Sequence, residues 1–577
     1  MAEKRQAVLE GLLIAIIPIV AFAYYSDTLR YWFFYDDAFN IFHSTQSIRV
    51  IFLSHDYSYA FYTPLLPLSF KADVFFFKLN PFPYHVHNVL ILVLIAFLMY
   101  RIMRLYSDRI SAFSPVLIVL FSTPSLVCVS WITLRQYLYA VLFALIAVYL
   151  HLRKERLTTV SIWHVFAILI CCELSFLGKE QFITLPVVLF LISPGCLRKR
   201  IHDTYLYFVL LLVHLVLRWY VLGSIGGYLG VTYDPKVYVK AVFASLLTAS
   251  AVLFGFRWIV FIILAPLLLK PRKSLMVFII WLASLAVSFL TMSFYPSADT
   301  YRYWLIAVVL FSFMISFNAM LLSRGYVKMA YLIIIFLFFF VHTWSANKDV
   351  KGFFKKEAGM AKTVSEALLD GKYQDTLFLI PKDRYIVESH YIYSIARDYL
   401  NLYNLRTRAS FYPFEFLAYY PQIIGDFEKV CEIKGEGISD ISDIIRNRIT
   451  LFKSRLLKDK LEVQLRNQGS AIDIRLGCNA GRQISVFFLR EVGFRYFIDT
   501  SVMPYLERVE MDRFLKSDDR GDVKVLPVDA LSYKMRQWYI GEEPLDSNGL
   551  YLTANCTNAM SETTSLSNLL YVQKPGA

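Results

Sequence analysis

Charge is scarce in this chain. Asp, Glu, Lys and Arg make up 18% of its 577 residues, where a soluble domain carries about a quarter, which excludes an ordinary solvated surface along much of the length. The seven cysteines form no CxxC pair and no zinc-ligand spacing, so the common redox and structural-zinc signatures are absent. Cys128, Cys171, Cys172 and Cys196 lie in or beside apolar runs and read as small packing residues. Cys431, Cys478 and Cys556 fall in the polar C-terminal region, where an oxidising compartment would permit one disulfide with a thiol left over and all three pairings stay open. No repeat of fixed period appears in that region, which excludes a solenoid. The glycine cluster "GSIGGYLG" has no GK[ST] after it and reads as a turn, not a phosphate loop.

What the chain does have is apolar length. It is 57% hydrophobic with a mean hydropathy of +0.49, and runs of about 20 apolar residues, enough to cross a bilayer, recur from residue 11 to about residue 343. The formal charge of +14 is no nucleic-acid footprint, because its location is wrong for one. Residues 1–345 hold 27 Lys and Arg against 14 Asp and Glu, while residues 346–577 hold 32 against 31. The excess clusters in alternate loops at Lys4/Arg5, Arg101/Arg104/Arg109, Arg153/Lys154/Arg156, Arg198/Lys199/Arg200, Lys270/Arg272/Lys273 and Arg324/Lys328. Clustering of that kind marks cytosolic loops. It predicts a cytosolic N-terminus and eleven spans near 11–25, 86–103, 112–130, 134–151, 160–177, 181–194, 204–222, 251–269, 274–293, 303–323 and 326–344. The odd number puts the C-terminal region outside, periplasmic or lumenal, with a bacterial inner membrane preferred to the ER. Ala21-Phe22-Ala23 has the look of a signal cleavage site, but the first run is read as a retained span.

The expected architecture is therefore a polytopic α-helical membrane module, 1–345, followed by a soluble extracytoplasmic mixed α/β domain, 346–577. In the first outer loop, 26–85, "SIRVIFLSH" and "LLPLSFKADVFFFKL" read as interfacial helices. A second outer segment, 223–250, continues past its glycines as an amphipathic stretch from Lys236 to Ser250. Beyond residue 345, Glu357–Leu369 has helical periodicity, whereas "TLFLIP" and "ISVFFL" read as strands.

Several ionisable residues fall at the outer ends of different spans: Asp36 and Asp37 after the first, Arg135 opening the fourth, Lys179 and Glu180 between the fifth and sixth, Arg218 late in the seventh, and Asp299 with Arg302 before the tenth. Charge near hydrocarbon is costly unless paired or facing a wet cavity, so a shared depth predicts one polar site. Lysine and arginine at helix ends also snorkel as plain anchors; carboxylates gain nothing that way. His85 and His87 in "PYHVHN" read as interfacial histidines, since alternate residues on a helix do not share a face. Glu173 and His164, within the fifth span, read as a buried pair.

The ordered set "YDDAFNI", "YTPLLPLSFKADVFFFKLNPFPYHVHNVLI", "SWITLRQYLYAVLFALIAVYLHLR", "LSFLGKEQFITLPVVLFL", "LRWYVLG" and "DTYRYWLIAVVL" resembles the GT-C glycosyltransferases over residues 11–325. It is most similar to the branch of the protein O-mannosyltransferases and the TPR-bearing transmembrane O-mannosyltransferases. No TPR array follows here, so a protein acceptor does not carry over. The resemblance implies that Asp36 and Asp37 are catalytic acids and that the donor is a polyprenyl phosphate carrying one sugar.

The residue types suit that chemistry. A carboxylate can take the proton of an attacking hydroxyl as general base, and Lys179, Arg218, Arg302 and Arg135 are candidates to meet the departing lipid phosphate. Glu180 joins Asp36 and Asp37 as a candidate catalytic acid, and these three oxygen donors are also the candidate ligands of a divalent metal. The expectation is an inverting transferase acting on a protein, lipid or polysaccharide hydroxyl at the outer face, with no nucleic-acid partner. A flippase or transporter of lipid-linked glycans is the alternative, and a non-catalytic membrane scaffold the third.

Overall fold

The computed structural model describes residues 2–53; 62–223 apart from 155, 158 and 159; 252, 254 and 255; 300–370 apart from 323 and 324; 373; 375–380; 410–413; 427–446 apart from 435 and 436; 463–467; 471–476; 483–498 apart from 493 and 494; 526–527; 550–557; 564–566; and 570–572. It divides into two compact units, Met1–Ala358 and Gly359–Ala577.

The first unit is helical. Its elements are α1 (Ala2–Tyr24), α2 (Asp37–Ser44), α3 (Ile48–Leu53), α4 (Leu65–Phe77), α5 (Pro81–Arg104), α6 (Arg109–Phe121), α7 (Thr123–Ser130), α8 (Arg135–Lys154), α9 (Ile162–Gly178), α10 (Leu185–Ile192), α11 (Leu197–Leu222), α12 (Leu305–Leu321) and α13 (Gly325–Leu369). Among the described residues five helices are long and apolar enough to cross a membrane: α5, α11, α13, the stretch Ile132–Lys154 that contains α8 and the stretch Tyr301–Leu321 that contains α12. The pair α6 and α7, bent by 52°, makes a sixth if counted as one span.

Eleven spans are thus not reached among the described residues. The apolar helices Glu10–Tyr24, Ile162–Gly178 and Glu180–Ile192 are short, and the spans expected at 251–269 and 274–293 lie almost wholly outside the described residues. Breaks account for part of the difference, because a hydropathy run does not register them. Ser122 is extended and caps α7 through the Ser125 amide, with Pro124 in the first turn, where a missing N–H costs nothing. In the other direction, α13 holds no proline and runs 45 residues without a break, so the boundary expected at residue 345 falls inside a helix.

Packing fixes the elements that carry the polar residues. On α4 the buried positions are Leu66, Ser69, Phe70 and Asp73, a helical stripe, while Phe75 and Phe76 are exposed as befits an interfacial helix. All eight residues of α7 are buried. Where α9 meets α8, a side-chain carbon on Gly178 would stand 3.0–3.1 Å from Ala140, and the Ser175 hydroxyl donates to the Ala140 carbonyl at 2.9 Å. That close approach, which only glycine permits, sets the position of Lys179 directly after it. At the end of α11, Gly223 takes the left-handed conformation that closes a helix; the remainder of the glycine cluster and the Lys236–Ser250 stretch lie outside the described residues.

The second unit holds the strands. Four of them, β1 (Thr376–Ile380), β2 (Ser410–Pro413), β3 (Lys429–Lys434) and β4 (Gly437–Asp440), order as β2-β1-β3-β4, with β1 parallel to β2 and β3 and β4 antiparallel to β3. A separate antiparallel sheet pairs Gln483–Val492 with Leu550–Thr557 over eight positions, and a short third sheet contains Val463–Asn467 and Ala471–Leu476. "TLFLI" and "ISVFFL" are strands, as their apolar runs predict. Cys431 is a buried free thiol, and Cys478 lies outside the described residues.

Candidate active site

The segment after α1 turns sharply at Tyr35, whose φ of 50° is left-handed and costs a non-glycine residue about 1–2 kcal/mol. Two features hold it there. The Asp37 carboxylate reaches back to accept the Phe34 amide at 3.1 Å, and the Tyr35 ring packs on Trp131 at 4.9 Å.

The adjacent acids are consequently unlike. Asp37 is fully buried, and besides Phe34 it accepts from the Thr133 amide at 2.8 Å and the Thr133 hydroxyl at 2.7 Å. Burial, and next the charge of Asp36, push its carboxyl up to about 7. Asp36 has a different set of partners. Its carboxylate accepts the Trp131 indole N–H at 2.9 Å; the residue is exposed, although protein crowds the acid closely enough to raise its pKa by desolvation, opposed chiefly by the charge of Arg302.

Aromatic rings carry the cations around it. The Arg302 guanidinium lies 4.7 Å from the centre of the Trp131 ring and 4.8 Å from that of Tyr303, and donates to the Tyr303 hydroxyl at 3.0 Å. The Lys179 ammonium sits 5.0 Å over Tyr137, a ring that in turn meets Tyr303 edge-on at 6.1 Å. Both cations are buried. Burial lowers Lys179 to about 8, against the raising effect of Glu180, Tyr303 and Asp36. An aromatic face attracts a cation through the ring quadrupole. The result is an open acid and two buried cations drawn from three separate segments, with Trp131 touching both Asp36 and Arg302.

The other nominated residues are engaged elsewhere. Arg135 has no exposed side-chain surface and forms an ion pair with Asp73. It also donates to Asn88 at 2.7 Å, the Tyr84 carbonyl at 2.9 Å and Ser69 at 3.4 Å. That network, continued through Asp73 to His87 and from His87 to the Tyr139 hydroxyl at 2.8 Å, is a structural clamp joining α4, α5 and α8. Asp73 is desolvated, which raises its pKa, yet His87 and Arg135 outweigh this and lower it. Glu180 pairs with Arg218 at 2.8 Å and accepts the Tyr62 amide at 2.8 Å. Glu173 pairs with His214 at 3.0 Å rather than with His164, whose ring meets the Leu150 carbonyl. Residues 164 and 173 are nine apart, which at 100° per residue sets them on opposite faces of α9. His85 lies buried between the carbonyls of Tyr31 and Val129. Asp299 lies outside the described residues.

The donor set does not fit a divalent metal. Among the described residues no three His, Cys, Asp or Glu side chains gather as ligands, both Asp37 oxygens are occupied by N–H and O–H donors, and Glu180 faces an arginine.

Sequence reasoning passed over Trp131, Thr133, Tyr137 and Tyr303, which contact the acids and the cations. The hint was there in "SWITLRQY": indole, hydroxyl and guanidinium packed between two apolar helices. No protein-family model and no curated protein matches the chain.

Proposed function

We propose that this chain is an integral-membrane glycosyltransferase of the GT-C type, moving one sugar from a polyprenyl-phosphate donor to a hydroxyl on the outer face of the membrane. The observation that carries the reading is the pairing of a solvent-open acid, Asp36, with two buried cations held on aromatic faces. In this reading the acceptor hydroxyl attacks the anomeric carbon while Asp36 takes its proton, an acid raised above its ordinary range being a better base at neutral pH. The carbon–oxygen bond to the lipid phosphate breaks, and Lys179 and Arg302 receive the developing negative charge in a poorly solvated site. Tyr137, Tyr303 and Trp131 are themselves buried and hold the two cations in place. Asp37 is a positioning residue, fixing the turn that presents Asp36. Arg218 and Glu180 neutralise each other and brace α11 beside the site.

A single displacement inverts the anomeric centre. Purified chain in lipid vesicles, given polyprenyl-phosphate sugars and hydroxyl acceptors, is expected to yield product of inverted configuration. Absence of transfer from every such donor by folded protein would overturn the assignment. The break between α6 and α7 is the feature a transporter reading would use, since broken helices surround transported substrates. Here α7 is buried along its whole length and presents its C-terminal end, Trp131, to the acid. The orientation rests on the basic clusters, and cysteines placed near residue 54 should react with an impermeant thiol reagent in intact cells while those near Lys199 stay shielded.

A further inference from the structure

A second concavity lies at the far end of α5 from the acids. His85 and Arg104 are separated by 19 residues of α5, about 28 Å of helix. A cavity of about 940 Å³ opens there between α1, α6 and α13, walled by Leu13, Phe113, Leu117, Ile333, Leu337 and Phe340. Along α13 its lining runs from Met329 to Val341, about 18 Å at the helical rise, close to the roughly 15 Å depth of one leaflet's hydrocarbon. The groove is tied shut at both ends. Asn347 of α13 donates to the Tyr24 hydroxyl of α1 at 2.6 Å and to the Phe121 carbonyl of α6 at 2.8 Å, and at the opposite end Lys328 pairs with Asp108.

Charge at that second end is positive. Arg104, Arg109 and Asp108 line the rim, and Glu10 pairs with both arginines, at 3.2 and 3.6 Å. Arg156 stands beside them, donating to the Leu105 carbonyl at 2.8 Å, and Arg101 lies one turn before Arg104 on α5. Five cations thus surround two acids. An apolar channel of one leaflet's depth beneath a basic rim is complementary to a lipid tail under an anionic head group. A zwitterionic head group, bringing its own cation to the rim, gains less.

We propose that this groove binds one anionic phospholipid, with an acyl chain between α6 and α13 and its phosphate at the Arg104–Arg109 rim. The site shares no residue with the acid–cation cluster and stands independently of the catalytic reading. Ordinary boundary lipid would exchange without regard to head group, which makes selectivity the deciding property. Full-length protein in mild detergent is given phosphatidylglycerol or phosphatidylcholine of matched chains, and retained lipid is counted by native mass spectrometry alongside thermal unfolding. The expected result is one phosphatidylglycerol retained about tenfold over phosphatidylcholine, with an accompanying rise in Tm. Leu117→Trp with Leu337→Trp, filling the channel, should abolish retention of both lipids. Arg104→Gln with Arg109→Gln leaves the channel intact and should bring the preference close to one, and this variant decides the matter if the tryptophan variant fails to fold. Equal retention of the two lipids by the wild type, or an unchanged preference in the glutamine variant, would overturn the proposal.

Discussion

Arg135 and Arg302 look alike in the sequence: each is a lone arginine at the mouth of an apolar helix, and each is buried in the fold. Their surroundings differ in kind. Arg135 is consumed by a carboxylate, a side-chain amide, a hydroxyl and a backbone carbonyl, so its charge is cancelled within the protein and its work is to hold helices. Arg302 rests against two aromatic faces and a phenol, within electrostatic reach of an acid that is open to solvent. Burial alone does not mark a functional cation. What distinguishes the two is their setting: Arg135 is enclosed by polar groups of the helices it joins, and Arg302 lies on aromatic faces near an exposed acid.

Substitutions can break or sharpen that contrast. The largest effect is expected at Asp36, where Asp36→Asn should slow transfer about a hundredfold or more with an unchanged unfolding transition; wild-type turnover would make the acid structural. Arg135→Ala should act on the fold instead, leaving Asp73 buried without its partner at a cost of about 3–5 kcal/mol. Thermal unfolding reads this as a large drop in Tm, and whatever folded fraction remains should use donor normally. At Arg302 the pattern should reverse, with folded Arg302→Ala needing about tenfold or more extra donor and Arg302→Lys recovering only part, because a point charge replaces a planar fork. For Lys179, lowered to about 8, the bound form needs the proton. Donor use should weaken as pH rises through 8, and Lys179→Arg should remove that limb from the profile of rate against donor concentration.

The smallest effect concerns the coupling between the two acids. Asp37 is raised to about 7 by burial and then by Asp36, so the folded state holds its proton more tightly than the unfolded chain does. The stability this contributes is complete below the ordinary carboxylate range and is lost as pH rises through about 7. Asp37→Asn should flatten the fall in Tm between pH 4 and 7. A fall in Tm over that range that Asp37→Asn leaves in place would show that Asp37 is not its source.

A place at a helix end was legible in the sequence, and facing was not. Hydropathy and charge placed Asp36, Lys179, Arg135 and Arg302 at helix ends. Which way each side chain turns depends on helix phase: Arg135 and Tyr137, two residues and about 200° apart, point one into the Asp73 clamp and the other toward Lys179. The same geometry undid the pairing of Glu173 with His164. The stripe on α4 could be read because it is local to one helix. By contrast, Trp131 acquires its role only when the turn after α1 is folded against the end of α7, and no spacing along the chain records that meeting.

The central claim is that an open acid beside aromatic-held cations moves a sugar from a lipid phosphate. It is tested most directly by a single-turnover reaction in vesicles, with radiolabelled polyprenyl-phosphate sugar and folded wild-type, Asp36→Asn and Arg302→Ala proteins side by side. The account predicts transfer by the wild type, loss of the chemical step at saturating donor in Asp36→Asn, and loss of donor capture in Arg302→Ala. Equal single-turnover rates and equal donor dependence in all three proteins would contradict it.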